Sequence, residues 1–250
     1  MRERLLGAEH PLALRTLSDL AYVTKELDRL DEAELLSRRV LQVRERTDGS
    51  EGAETATALT ALGEVLAKKG DAVSAEPLFR RALAAQQRRL AADNPDLGLT
   101  MWNLADALRV LGRCDEAEVL ARRVLEVWES TFGPEHEWTA WGLVCLAEVR
   151  LARGDADEAA GAAERAARVF ERLFGKAHAV VGSTLNLHGR ALLAAGRHVA
   201  AQAVLANALE IQSSLGTGGQ TAAEATRALL ESCHAVAVEP TQAAPGTIAH

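Results

Sequence analysis

Glycine stands at Gly7, Gly49, Gly133 and Gly175, each a multiple of 42 residues from the first, with Ala91 at the one intermediate place. The same step links Leu20, Leu62, Leu104 and Leu146, and again Ala33, Ala75, Ala117, Ala159 and Ala201. A period of that length confines the chain to repeat architectures. Each unit is one supersecondary element that cannot bury its apolar face alone, so copies must stack to make a continuous core.

Within a unit the apolar spacing is helical. Leu59, Leu62, Gly63 and Leu66 follow at i, i+3, i+4 and i+7, Gly70-Asp71 interrupts, and Ala75, Phe79, Ala82 and Leu83 resume the pattern. The interruption recurs as Gly112-Arg113, Gly154-Asp155 and Gly196-Arg197, where glycine ends a helix in the left-handed conformation. Pro11 and Pro95 mark first turns, where a proline gives up a hydrogen bond that the helix does not make. The pattern predicts first helices over 11–27, 53–69, 95–111, 137–153 and 179–195, and second helices over 30–47, 72–90, 114–132, 156–174 and 198–215. Aromatic residues at 4% and only 6 prolines agree with an all-helical chain and argue against a β-sandwich.

Small residues Ala21, Gly63, Ala105, Ala147 and Gly189 stand where two helices approach, each after a leucine except at His188, and the alanine series follows twelve residues on. This pattern resembles the tetratricopeptide repeat. The 42-residue unit and linkers such as Gly133-Pro134-Glu135-His136 are similar to its kinesin-light-chain variety. The resemblance implies an all-α fold, a right-handed α-solenoid of five helix-turn-helix repeats at 7–48, 49–90, 91–132, 133–174 and 175–216. Residues 1–6 read as the end of a preceding repeat's helix, and 217–236 as a capping helix in register with a sixth first helix. Residues 237–250, with Pro240 and Pro245 among Ala, Thr and Gln, read as a disordered tail. A chain that begins inside a repeat leaves the apolar face of its first helix uncovered, Leu14 and Leu17 included, and self-association through that end is one expectation.

Charge and motif content narrow the function classes. Lys and Arg number 28 against 35 Asp and Glu, and the net charge of −7 repels phosphate backbones, so no nucleic-acid partner is expected. No run approaches the ~20 apolar residues of a membrane span, and Gly7-Ala8-Glu9-His10-Pro11 falls where a signal peptide needs its apolar stretch. The expectation is no membrane partner and a cytoplasmic chain. Cys114, Cys145 and Cys233 have no Cys-x-x-Cys spacing, which encodes neither a disulfide framework nor a zinc site. His10, His136 and His178 occupy equivalent linker positions at least one repeat apart, too far for one metal, and read as linker chemistry. No phosphate-loop, His-Glu-x-x-His or Gly-x-Ser-x-Gly motif occurs, so the chain reads as non-enzymatic and without cofactor.

In stacked repeats of this kind the first helices line the inner groove. Positions one helical step from the core put Ser18, Thr60, Trp102, Val144 and Asn186 in one column, and Tyr22, Glu64, Asp106, Glu148 and Arg190 in the next. Lys25, Ala67, Arg109, Leu151 and Leu193 form a third, with Trp141 at the groove edge. The candidate groove residues are therefore Ser18, Tyr22, Lys25, Thr60, Glu64, Trp102, Asp106, Arg109, Trp141, Glu148, Asn186 and Arg190. Trp102 either anchors a ligand or packs against the next repeat, while Trp128 and Trp138 read as packing residues. The carboxylates predict an acidic groove middle, suited to a basic group on an extended peptide whose apolar side chain meets Trp102. Outside the groove, Glu34, Glu76 and Glu118 precede Arg38, Arg80 and Arg122 by four, which predicts ion pairs along a solvated outer face.

The resemblance implies a non-catalytic scaffold that binds a protein or extended peptide on its concave face. The alternative is a sensor or oligomerisation arm of a larger bacterial signalling ATPase or transcriptional regulator. Relatives that clamp a C-terminal carboxylate use basic and Asn residues where this chain has Ser18 and Tyr22, so that ligand does not carry over.

Overall fold

The computed structural model describes Gly7 and residues 9–238, with side-chain surroundings through Cys233. Among these residues every regular element is helical. The helices are α1 (Pro11–Glu26), α2 (Leu30–Thr47), α3 (Ala53–Lys68), α4 (Ala72–Gln87), α5 (Leu97–Val110), α6 (Cys114–Phe132), α7 (Glu137–Arg153), α8 (Ala156–Phe174), α9 (Ala179–Ala194), α10 (His198–Ser214) and α11 (Gln220–Val238). A short 3-10 turn, Gly216–Gly219, precedes α11. Every first and second helix stands where the period put it, most within one residue at each end. The departures are largest where the second repeat meets the third: α4 ends at Gln87 rather than 90, and α5 starts at Leu97 rather than 95, because Asn94-Pro95-Asp96 forms a turn in which Asn94 Oδ1 accepts from the Asp96 amide at 2.9 Å. Residues 1–6 and 239–250, expected as a preceding helix end and a tail, lie outside the described residues. α11 runs two residues past the expected end of the cap.

The chain divides into two compact units, Met1–Arg153 and Gly154–His250. In the first, each helix from α1 to α7 packs on its chain neighbours, and successive first helices α1, α3, α5 and α7 also touch. In the second, α8 packs on α9, α9 on α10 and α10 on α11, and α11 also meets α9. Serial packing of neighbouring hairpins is the construction of an α-solenoid.

The linker histidines are helix caps. His10, His136 and His178 each accept, through Nδ1, the amide two residues on, from Leu12, Trp138 and Val180 at 3.2, 3.1 and 3.3 Å. They satisfy amides that the first helical turn leaves without partners. Gly52 holds the same register in α3, and there Asp48 Oδ2 replaces the imidazole, accepting from Glu54 and Thr55. Between the two helices of a repeat the chain reverses through a left-handed residue, at Gly70, Gly112, Gly154 and Gly196. In the first repeat that residue is Asp28, at φ 60°.

The core follows the columns. Ala33, Ala75, Ala117, Ala159 and Ala201 are all 0% exposed, and Leu62, Leu104 and Leu146 are buried. Size is matched across the helix pair. Gly63 lies against Phe79, which a Cβ there would meet at 2.5 Å, and Gly189 lies equally close to Leu205. Where the small residue is Ala105, the residue corresponding to Phe79 is Ala121.

Two expectations need correction. Leu14 is buried and Leu17 is half-buried. The exposed apolar residues along α1 and its C-cap are instead Leu20, Val23 and Leu27, at 44, 49 and 64%. The glutamate–arginine ladder forms, with Arg38–Glu34 at 2.8 Å and Arg122–Glu118 at 2.7 Å, and its arginines are exposed, but of its acids Glu34 and Glu76 are only partly exposed and Glu118 is buried. Each also takes a cation from the next repeat, Lys69 for Glu34, Arg113 for Glu76 and Arg150 for Glu118. Glu118 is 1% exposed.

Candidate functional site: two related cavities on the first-helix face

Two cavities open on the face that α1, α3, α5 and α7 present in the first unit. One, of about 100 Å³, lies among α1, α2 and α3 and is lined by Ser18, Tyr22, Lys25 and Glu64, with Ser37, Arg44, Glu54 and Thr57. The other, of about 280 Å³, lies between α5 and α7 and is lined by Trp102, Asn103, Asp106, Arg109, Val144, Cys145, Glu148 and Val149. They are the same place two repeats apart. Subtracting 84 residues carries Trp102, Asp106, Arg109 and Glu148 onto Ser18, Tyr22, Lys25 and Glu64. Each cavity thus receives a cation from its first lining helix and a glutamate from its second.

The ionic groups are largely internally matched. Lys25 Nζ donates to Glu64 Oε2 at 2.7 Å and lies 5.0 Å from the centre of the Tyr22 ring. Glu64 Oε1 accepts from Asn103 Nδ2 at 3.2 Å, so one carboxylate ties α1, α3 and α5 together. Burial pulls the Lys25 ammonium down, but the hydrogen bond and charge of Glu64 outweigh it and leave the pKa raised. Arg109 grips Asp106 through Nε and Nη2 at 2.9 and 2.6 Å. Its burial is likewise outweighed, chiefly by the Asp106 charge, and its pKa too is raised. The expected acidic middle is therefore a row of ion pairs. Burial also pushes the Cys145 thiol up, well above the usual range, so it stays protonated and unreactive.

The indoles form one file. Trp102 stacks on Trp141 at 5.7 Å and 27°, meets Trp128 edge-on at 6.2 Å, and Trp128 lies 5.2 Å from Trp138. Trp102 is half-buried, packing on its neighbours while one side lines the larger cavity. Trp128, 2% exposed, donates from Nε1 to the Pro95 carbonyl at 3.2 Å and is a packing residue.

Other candidates take different places. Thr60 is 7% exposed, bonded to the Ala56 carbonyl and within 3.5 Å of Thr100 Oγ1, and lines neither cavity. Trp141 braces Trp102 rather than lining the space. Asn186 and Arg190 belong to α9 in the second unit. There Asn186 Nδ2 donates to Thr226 Oγ1 of α11 at 2.6 Å, and Thr226 donates to Gln212 Oε1 at 2.7 Å, so Asn186 fastens the terminal helix. Arg190 is exposed. The columns passed over Ser37 and Arg44, which reach the smaller cavity from α2. Their signal lay in the second helices, at positions where other repeats carry Phe79, Trp128 and Phe170. Among the described residues no group of three His, Cys, Asp or Glu is placed to hold a metal ion, and no helix is long and apolar enough to cross a membrane.

Comparison with curated proteins finds no match. The family model for the tetratricopeptide repeat matches residues 25–88, 96–171 and 141–214. Among solved structures, a Podosopora anserina kinesin light chain of nearly identical TPR-like repeats is 24% identical, with TM-score 0.69 over 83% of this chain and 99% of its own. A Rap protein complexed with Competence and Sporulation Factor is 14% identical, with TM-score 0.67 over 94% of this chain and 72% of its own. A Pyrococcus horikoshii signal transduction ATPase with a tetratricopeptide repeat sensor is 14% identical, with TM-score 0.67 over 92% of this chain and 34% of its own. Identities this low carry the fold alone. With the repeat model covering most of the sequence and helix pairs in serial contact within each unit, the chain belongs to the tetratricopeptide repeat family.

Proposed function

We propose that the chain is a non-catalytic binding module that takes an extended peptide along the first-helix face of the Met1–Arg153 unit. The observation that carries this reading is the pair of equivalent cavities on that face, one walled by an indole and both edged by ion pairs. A concave, mostly apolar site with a few convergent polar groups is the usual form of a ligand pocket, and a half-buried tryptophan is a frequent anchor. The peptide lays an apolar side chain against Trp102, beside the Asp106–Arg109 ion pair that edges the cavity. The Rap complex supports a binding role for this fold, and the sensor of the Pyrococcus ATPase supports such a face serving inside a larger signalling protein.

The test is a displayed library of extended peptides selected against the full chain, with the enriched peptides measured on Trp102→Ala and Glu64→Lys. The reading expects each variant to weaken binding by about tenfold or more, a typical anchor loss. Unchanged affinity on both variants refutes it.

A further inference from the structure

Within the first unit, three columns of the repeat are closed on α3, α5 and α7 and open on α1. The places of Thr16, Leu20 and Val23 are held by Ala58, Leu62 and Val65, by Thr100, Leu104 and Ala107, and by Gly142, Leu146 and Val149, all of them buried. In α7 the cover is the preceding second helix, since a Cβ at Gly142 would meet the Leu125 backbone of α6 at 3.2 Å. On α1 all three residues are exposed. The ends of this face are more apolar than the repeat requires. Leu12 stands where the next two repeats have Glu54 and Asp96, and Leu27 where the second and fourth have Lys69 and Arg153. Of the cations that hold the ladder glutamates of a preceding second helix, Lys69, Arg113 and Arg150, the first repeat keeps only the counterpart of Arg113, Arg29. Leu27 and Thr24 take the other two places. The face is therefore poor in ties for a second helix and rich in aliphatic surface, which marks a contact of another kind.

We infer that this face of α1 pairs with the same face of a second copy of the chain, antiparallel about a two-fold axis. Leu12, Thr16, Leu20, Val23 and Leu27 follow one another by four, four, three and four residues, along one side of the helix and its C-cap. Set antiparallel about Leu20, they match Leu12 with Leu27, Thr16 with Val23 and Leu20 with its own counterpart. Such self-complementarity is what an isologous contact needs. The charges agree with it. Arg15 and Glu26 are exposed on one flank of this face, and an antiparallel pair turns that flank toward itself. Arg15 of each copy then stands beside Glu26 of the other, an ion pair made twice. Other repeats lack the two charges, with Thr57 and Leu99 at one place and Lys68 and Val110 at the other. Asp19, on the same flank, meets Asp19 across the axis, and this repulsion limits the strength. A single helix contact is smaller than a standard interface, so the dimer is weak, with a dissociation constant of about 100 μM. Ser18, Tyr22 and Lys25 lie on the opposite side of α1, so the groove of each copy stays open and the pairing is independent of the peptide reading.

Sedimentation equilibrium of the full chain, from about 1 μM to about 1 mM, measures the association, and a monomer–dimer equilibrium centred near 100 μM is expected. Leu20→Glu changes the centre in both copies at once and is expected to weaken the dimer about a hundredfold, leaving monomer throughout. Arg15→Glu is expected to weaken it about threefold to tenfold, and Glu26→Arg added to that variant to restore it. Asp19→Asn is expected to tighten it about threefold. These side chains are exposed, and circular dichroism should show the fold unchanged in each variant. Monomer across the whole range overturns the inference, as does a dimer that Leu20→Glu leaves intact. A dimer broken by Leu20→Glu but not restored by the reversed charges overturns the two-fold antiparallel arrangement. Peptide affinity that falls with Trp102→Ala in any of these cases leaves the groove reading standing, so the two failures are distinguishable.

Discussion

Size matching between Gly63 and Phe79 makes a prediction that separates packing from propensity. An alanine at 63 gains about 1 kcal/mol as a helix former relative to glycine. Its Cβ, however, would lie 2.5, 2.8 and 2.9 Å from Phe79 Cε1, Cζ and Cδ1, and Phe79 is 1% exposed with no room to retreat. Overpacking of this kind costs about 1–3 kcal/mol, so Gly63→Ala should destabilise by a net ~1 kcal/mol. Phe79→Ala alone should cost about 3–5 kcal/mol. In that background the clash is gone, the added methyl fills part of the hole, and Gly63→Ala should stabilise by ~1–2 kcal/mol. The double variant reproduces the residue pair Ala105 and Ala121 that the next repeat already uses. Urea denaturation of the four proteins, followed by circular dichroism, measures the cycle, and a coupling of about 2–3 kcal/mol is expected. If Gly63→Ala shifts the midpoint equally in both backgrounds, close approach is not why glycine stands there.

Four further outcomes follow from the same structure. Asp28→Gly should raise stability by about 1 kcal/mol in the same denaturation assay, because Asp28 alone among the non-glycine described residues takes a positive φ; no gain would mean the strain is absent. Glu118→Gln should lower stability by about 2 kcal/mol, since it uncharges a buried acid that holds Arg122 and Arg150, and a neutral result would deny that the ladder contributes. Asp31 and Glu34 are held below the ordinary carboxylate range by Lys69, and Glu116 by Arg113 and Arg80; the stability they confer is present above about pH 4 and lost as pH falls through their lowered values. A melting temperature that stays flat from neutral pH into that range contradicts this. His188, whose pKa burial lowers, should likewise withdraw stability as pH falls below about 6.5, and His188→Leu, restoring the residue of Leu62 and Leu104, should abolish that part of the pH profile.

The helices were legible because period and punctuation coincide: Gly70, Gly112, Gly154 and Gly196 both break the apolar pattern and stand 42 residues apart. What the linker histidines do was less legible, since imidazole is not among the customary capping side chains and its role shows only where Nδ1 meets an amide. On the candidate face, Ser18, Tyr22, Lys25, Glu64, Trp102, Asp106, Arg109 and Glu148, picked by the column rule, line the two cavities. Thr60, which is buried, and Asn186, whose partner on α11 is forty residues on, do not. Charges along a helix could be paired by the four-residue rule, but the inter-repeat partners of Glu34, Glu76 and Glu118 depend on how adjacent hairpins seat. Ser37 and Arg44 went unseen because a cavity is made by what a position lacks, and this emerges only when registers are compared across repeats.

The most direct test of the central claim is hydrogen–deuterium exchange on the full chain with and without a peptide selected on it. The account predicts added protection in α1, α3, α5 and α7, strongest around Tyr22, Glu64 and Asp106. Protection confined to the second helices α2, α4 and α6 would place the binding surface on the opposite side and contradict it.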